Sequence, residues 1–174
     1  MPLVKAKPHH PRRKVLGKVN NWQMLVDAIM EEDSLLRERL AQCPQEVRDI
    51  KGPHGALSFK ETLGHIAFWD SFTVDFFSNK LDKTCLDPSP LVNFEERSIE
   101  ALETASQLPF GEVLARYLEA TGSLTNFLGR HWGDLSPREK HDFWVPLKHR
   151  RHHRISLFQA LDDLLSPNEM AAEA

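Results

Sequence analysis

The segment VPLKHRRHHRISLFQALDDLL, residues 145–165, sets His149, His152 and His153 among four basic side chains in what otherwise reads as an apolar helical repeat. Residues four apart on a helix stand one above the other, their Cβ atoms ~5–6 Å apart, so His149 and His153 form a stacked pair. The stripe continues through Leu157, Ala160 and Leu164, which are core residue types. Both imidazoles are therefore expected to point inward, with His152 turned about 100° toward the polar edge. A buried imidazole needs a partner for each ring nitrogen, and two stacked imidazoles with no acid between them are poorly satisfied in an apolar core. A divalent cation satisfies both. Zinc takes histidine nitrogen at ~2.0–2.1 Å, and catalytic zinc sites usually combine three protein ligands with a position left for water.

The third ligand this pattern asks for is His65 in ETLGHIAFWD, the one histidine inside another long apolar helix. It lies ~10 Å beyond Ser58, while His149 and His153 lie ~4–10 Å beyond Pro146, at ~1.5 Å per residue. With the two helices running in the same direction, those levels agree, and neighbouring axes about 8–10 Å apart let three rings converge on one ion. Each residue also has a plainer reading. His65 beside Trp69 reads equally as a hydrogen-bonded core histidine, and KHRRHHR as a face whose Lys148, Arg150, Arg151 and Arg154 meet acidic neighbours. Trp69, Phe72 and Phe76 read as packing. Glu61, four residues before His65, is a capping acid that is also placed to orient a ligand.

Four long helices must position these residues. In the first, about 20–42, Trp22, Leu25, Val26, Ile29, Leu35, Leu36 and Leu40 recur at three- and four-residue steps. CPQEVRDIKGPHGA breaks the pattern with prolines and glycines around one short helical turn. The second opens at Ser58, because SFKE is a capping box, and spans about 59–79. Its apolar residues cover more than one stripe, so it should pack on several sides and sit centrally. After the aperiodic NKLDKTCLDPSPLVN comes a short helix over about 94–106, then a third long helix from about Pro109 to Arg130, with proline in the first turn. LSPREK is a second capping box, Ser136 with Glu139, starting a short helix to about Phe143. Pro146 then occupies the first position of the last helix, which runs to Leu165. There is no Val/Ile/Thr alternation of strand length. The fold class is all-α, a four-helix bundle with long inter-helix connections, at least one of them a crossover, and short accessory helices.

At 174 residues the chain is long enough for one domain burying roughly two-thirds of its unfolded surface. The expected organisation is a flexible basic arm over 1–18, a bundle over 19–166 and a tail over 167–174. Residues 1–18 hold six Lys/Arg and no acid, leaving 16 Lys/Arg against 25 Asp/Glu in the rest, a net charge of -9. That acidic body repels nucleic-acid backbones, and a helix that buries its histidine stripe does not lie in a groove. No nucleic-acid partner is expected. No apolar run approaches the ~20 residues of a membrane span, and no h-region follows the basic start, so the expected compartment is the cytoplasm. Cys43 and Cys85 are far apart with no CxxC spacing and read as free thiols. A two-fold homodimer is expected from the frequency with which bundle surfaces pair isologously.

LGHIAFWD in the second long helix, an irregular connection, and HRRHHR in the last one together resemble the DinB-like superfamily of bacterial four-helix-bundle proteins, named for DNA-damage induction and related in fold to thiol-dependent transferases and mycothiol-dependent maleylpyruvate isomerase. The likeness covers about residues 20–165. It implies that His65, His149 and His153, the last followed by Arg154, bind nickel, zinc or another divalent ion. The family commonly carries Gly-Gln where this chain has Ile155-Ser156, and a bulky Ile155 is expected to alter packing beside the site. The resemblance implies a metal-dependent thiol S-transferase or hydrolase, with a low-molecular-weight thiol as co-substrate. A rival reading is a non-catalytic, stress-related bundle that holds a small molecule. Glu61, Asp70 and His152 are the candidates for a general base or for orienting a ligand, and the sequence does not separate them.

Overall fold

The computed structural model describes residues 21–82 and 93–166. The basic arm, most of the irregular connection with Cys85, and the tail lie outside the described residues. Among the described residues six α-helices follow in order: α1 (Trp22–Gln42), α2 (Phe59–Leu81), α3 (Phe94–Gln107), α4 (Phe110–His131), α5 (Pro137–Asp142) and α6 (Trp144–Leu165). Single 3-10 turns at Gln45–Val47 and Pro53–Gly55 interrupt the segment between α1 and α2. No strand occurs among the described residues, and no helix among them is long and apolar enough to cross a membrane.

Local chemistry sets the helix starts. Asn21 accepts from the Gln23 amide at 2.9 Å to cap α1. Both capping boxes form: Ser58 Oγ accepts from the Glu61 amide at 3.1 Å while the Glu61 carboxylate accepts from the Ser58 amide at 3.0 Å, and Ser136 and Glu139 do the same at 3.3 and 2.7 Å. One start differs from expectation. Pro146 is the third residue of α6, not the first, because α5 and α6 meet at the single residue Phe143. The first four amides of a helix have no intrahelical acceptor, so proline costs nothing there either.

Contacts fix the direction of each helix. On α2 and α6, Phe77 meets Phe143 with ring centroids 4.4 Å apart, Asp70 meets Arg150, and Gly52, ahead of α2, touches Ala160. Residue numbers rise along one helix as they fall along the other, so α2 and α6 are antiparallel. The parallel run on which the matching of depths depended is not the arrangement found. Phe59 beside Phe110 and Gly64 beside Val113 make α2 and α4 parallel. Glu32 with Arg154 and Arg39 with Asp162 make α1 and α6 parallel. The α2-to-α4 connection is therefore the crossover, and α3 lies along its return path, antiparallel to α2, with Arg97 over Phe72 and Ala105 against Gly64.

The core divides into two apolar halves. Leu36, Leu63, Ile66, Tyr117, Leu157 and Leu161 belong to one; Leu25, Ile29, Phe77, Leu124, Phe143 and Leu147 to the other. Between them every long helix contributes buried polar groups: Glu32 and Asp33 from α1, Asp70 from α2, Thr121 from α4 and Arg150 from α6. Burying such groups is costly unless they are paired: Asp70 and Thr121 meet Arg150, Glu32 meets Arg151 and Arg154, and Asp33 meets Arg37.

Candidate metal centre

His65 is buried on α2, one turn before Trp69, whose ring stands edge-on to it at 6.4 Å between centroids. His149 and His153 are half-buried on α6. The His149 Nε2 lies 3.1 Å from the His65 Nε2 and 3.0 Å from the His153 Nε2, and the donor atoms of all three lie within 4.8 Å of one another. Two ligands at ~2.0–2.1 Å from a tetrahedral zinc are separated by about 3.3 Å. Two sides of the triangle are therefore close to that separation, and the three-histidine cluster is one that could hold a metal ion.

Neutral rings are what a metal requires. Burial lowers the His65 pKa. Burial, then the nearby His153 and His65, brings His149 down to about 3, and burial, then His65 and His152, brings His153 down to about 4. All three therefore offer a lone pair at neutral pH.

The antiparallel arrangement changes how these residues meet. His65 comes early in α2 and faces the middle of α6, so the equal depths read from the two helix starts are not what brings them together. The buried residues of α6 are Pro146, Leu147, Arg150, Leu157, Ala160 and Leu161. His149 and His153 flank that stripe and do not form it, and Leu164 at its expected end is 37% exposed. Ile155 is 53% exposed, so this bulky residue, expected to alter packing beside the site, lies largely in solvent instead.

None of the candidates to orient a ligand does so by a hydrogen bond. Glu61 serves the Ser58 cap and accepts from Lys51 at 3.1 Å. Asp70 pairs with Arg150. His152 is exposed, its ring 5.3 Å from that of His153. The Nδ1 atoms of His65 and His149 are buried with no hydrogen-bond partner among the described residues, whereas metal-binding histidines usually donate that proton to a carboxylate or carbonyl.

The basic residues of HRRHHR do meet acids, Arg151 from an exposed position and Arg150 from a fully buried one. Glu32, itself buried, accepts from the Nε of Arg151 at 2.7 Å and from the Nε of Arg154 at 2.5 Å. Burial alone would raise the Glu32 carboxyl, yet hydrogen bonds from Arg154 and Arg151 hold it below its ordinary value. Arg150 is fully buried. It donates to Asp70, to the Tyr117 hydroxyl at 2.9 Å and to Thr121 Oγ1 at 2.7 Å. Burial pushes Asp70 upward and Arg150 pulls it back; because a guanidinium stays charged, the pair is satisfied as carboxylate and guanidinium. Sequence reasoning missed this burial. The available signal was spacing: Leu147, Arg150, Leu157 and Leu161 follow steps of three, seven and four residues along one face.

Comparison of the chain with protein-family models, with curated proteins and with solved structures finds no match in any of the three.

Proposed function

We propose that His65, His149 and His153 bind a divalent transition ion, nickel or zinc, and that the chain is a metal-dependent thiol S-transferase or hydrolase of the kind its DinB-like resemblance implies. The observation that carries this is the convergence of three neutral imidazoles from two antiparallel helices, with separations of 3.0 and 3.1 Å along two sides. Bound there, such an ion lowers the pKa of a thiol or water in its remaining position. Three neutral ligands leave its full charge, which favours an anionic thiolate or hydroxide.

Between the two reactions, the surroundings favour the thiol. Asp70 and Glu61, the carboxylates considered as bases, are both committed to cationic partners. A thiol, with an unperturbed pKa near 8.5, needs less help to ionise than water does. The arginines that would offer a nucleic-acid surface are turned to Glu32 and Asp70.

The test is metal analysis of the purified chain by mass spectrometry, followed by a screen for conjugation of small thiols to electrophiles. Near-stoichiometric metal that is absent from His65→Ala, with conjugation lost in a folded His149→Ala, supports the proposal. A wild-type chain that retains no added nickel or zinc sinks it.

One observation favours the rival reading of a small-molecule-binding bundle. A cavity of about 460 Å³ lies between α2, α3 and α4, lined by Gly64, Phe68, Leu108 and Arg116 among others and by none of the three histidines. Ligand capture unaffected by His65→Ala, without conjugation activity, would favour that reading.

A further inference from the structure

The Nδ1 atoms of His65 and His149 lack, among the described residues, the hydrogen bonds that usually fix a metal-binding ring, so something else must hold these rings in register. Apolar packing of α6 does not do so at their level. Between Leu147 and Leu157 the one buried side chain on α6 is Arg150. It adjoins His149 in sequence, and its partner Asp70 lies five residues beyond His65 on α2. The pair thus bridges the same two helices as the histidines, within about 8 Å of them along the axes. Arg150 also reaches α4 through Tyr117 and Thr121, and Thr121 is aimed by its own hydrogen bond to the Tyr117 carbonyl at 2.8 Å.

We infer that the buried Arg150 and Asp70 are positioning residues that set the rotation and axial level of α6 against α2, and thereby bring His149 and His153 onto His65. A slip of one residue moves α6 by ~1.5 Å and turns it by about 100°, which carries both histidines off the cluster. The planar guanidinium permits no such slip, because its three oxygen partners come from two helices and lie in fixed directions. An apolar replacement of similar volume fills the space without specifying the angle.

This inference deepens the metal-binding proposal and rests on it for one of its two readouts. The first is cobalt(II) titration of the full chain, followed by d–d absorption. The second is metal-free: proton nuclear Overhauser contacts among the three imidazoles. The key variant is Asp70→Leu/Arg150→Met, since exchanging a buried ion pair for apolar residues commonly preserves or raises stability. With its helical content and cooperative melting intact, it should bind cobalt at least tenfold more weakly than wild type, with altered d–d bands, and should lose the contacts between His65 and the other two rings. Arg150→Lys keeps the charge but not the fork. It should weaken cobalt binding severalfold, and it serves as the test if the double variant does not fold. Failure of wild type to bind cobalt would remove the metal proposal alone, leaving the imidazole contacts to decide the positioning role. A folded variant that keeps the wild-type ring contacts overturns the inference, whatever the metal does.

Discussion

Gly64 on α2 faces Ala105 on α3 so closely that a methyl group built at residue 64 falls well inside contact distance of the Ala105 Cβ. Both atoms concerned are fixed to helical backbone, so neither can rotate away. Gly64→Ala should push α3 outward and cost about 1–3 kcal/mol, the usual range for overpacking. Urea denaturation monitored by circular dichroism measures it, and Ala105→Gly in the same chain should restore much of the loss. Unchanged stability would mean that α3 shifts freely on α2.

Tyr117 supplies the hydroxyl that accepts from Arg150. Burial holds that phenol well above its ordinary pKa, with Asp33 adding to the rise and Arg150 opposing it, so it remains a neutral acceptor and donor at all working pH. Tyr117→Phe keeps the ring and deletes the acceptor. A hydrogen bond to a charged group is worth about 1.5–3 kcal/mol, and equilibrium unfolding should show a loss of that size with the helical content unchanged.

Asp70→Asn or Arg150→Met alone should be far worse than the two replaced together. Each single change leaves one buried charge unpaired, which costs about 3–5 kcal/mol. The corresponding double-mutant cycle, read from denaturation midpoints, should give a strong coupling energy. Additive effects would show that the two groups are solvated separately.

Acid should destabilise the metal-free chain earlier than carboxylate titration alone would. His149, brought down to about 3, and His153, brought down to about 4, lie below the ordinary imidazole value of 6.5 in the folded protein. Between those values and 6.5 the unfolded chain binds more protons than the native one, so stability falls as pH falls. The decline therefore begins as pH drops through 6.5 and is complete only near pH 3. Glu32, also lowered, adds a loss that starts below its ordinary value of 4.5. His149→Ala should flatten the first part of the decline in melting temperature between pH 7 and 5, and a bound metal ion should be released over the same interval, since protons compete for the same nitrogens.

Much of this architecture was legible because its causes are local. The capping boxes at Ser58 and Ser136 are four-residue signals, and the three- and four-residue apolar steps of α1, α2 and α4 specify both helix and face. That His65 belongs with His149 and His153 was readable from residue type, since imidazoles in apolar helices need partners. Helix polarity was not. Spacing gives a depth from each helix start, and nothing in α2 or α6 by itself says which end of one meets which end of the other; that depends on the crossover between α2 and α4. Arg150 was hidden for a different reason. Arginine is rarely buried, and among three other cations it reads as one more solvated charge. Its spacing with Leu147, Leu157 and Leu161 hinted at a core position, and the facing Asp70, eighty residues away, accounts for it.

The polar stratum at mid-height has a consequence for how the molecule is built. Two of its three buried acids, Glu32 and Asp70, belong to the first two helices, while the cations that neutralise them, Arg150, Arg151 and Arg154, all arrive with the last; the third, Asp33, meets Arg37 on its own helix. A nascent chain halted before Trp144 would hold Glu32 and Asp70 without these partners, and His65 without the other two rings of the cluster. The closing helix thus brings neutralisation of Glu32 and Asp70 and two of the three clustered histidines in one docking event, so that a chain unable to complete its fold is also unable to assemble the cluster.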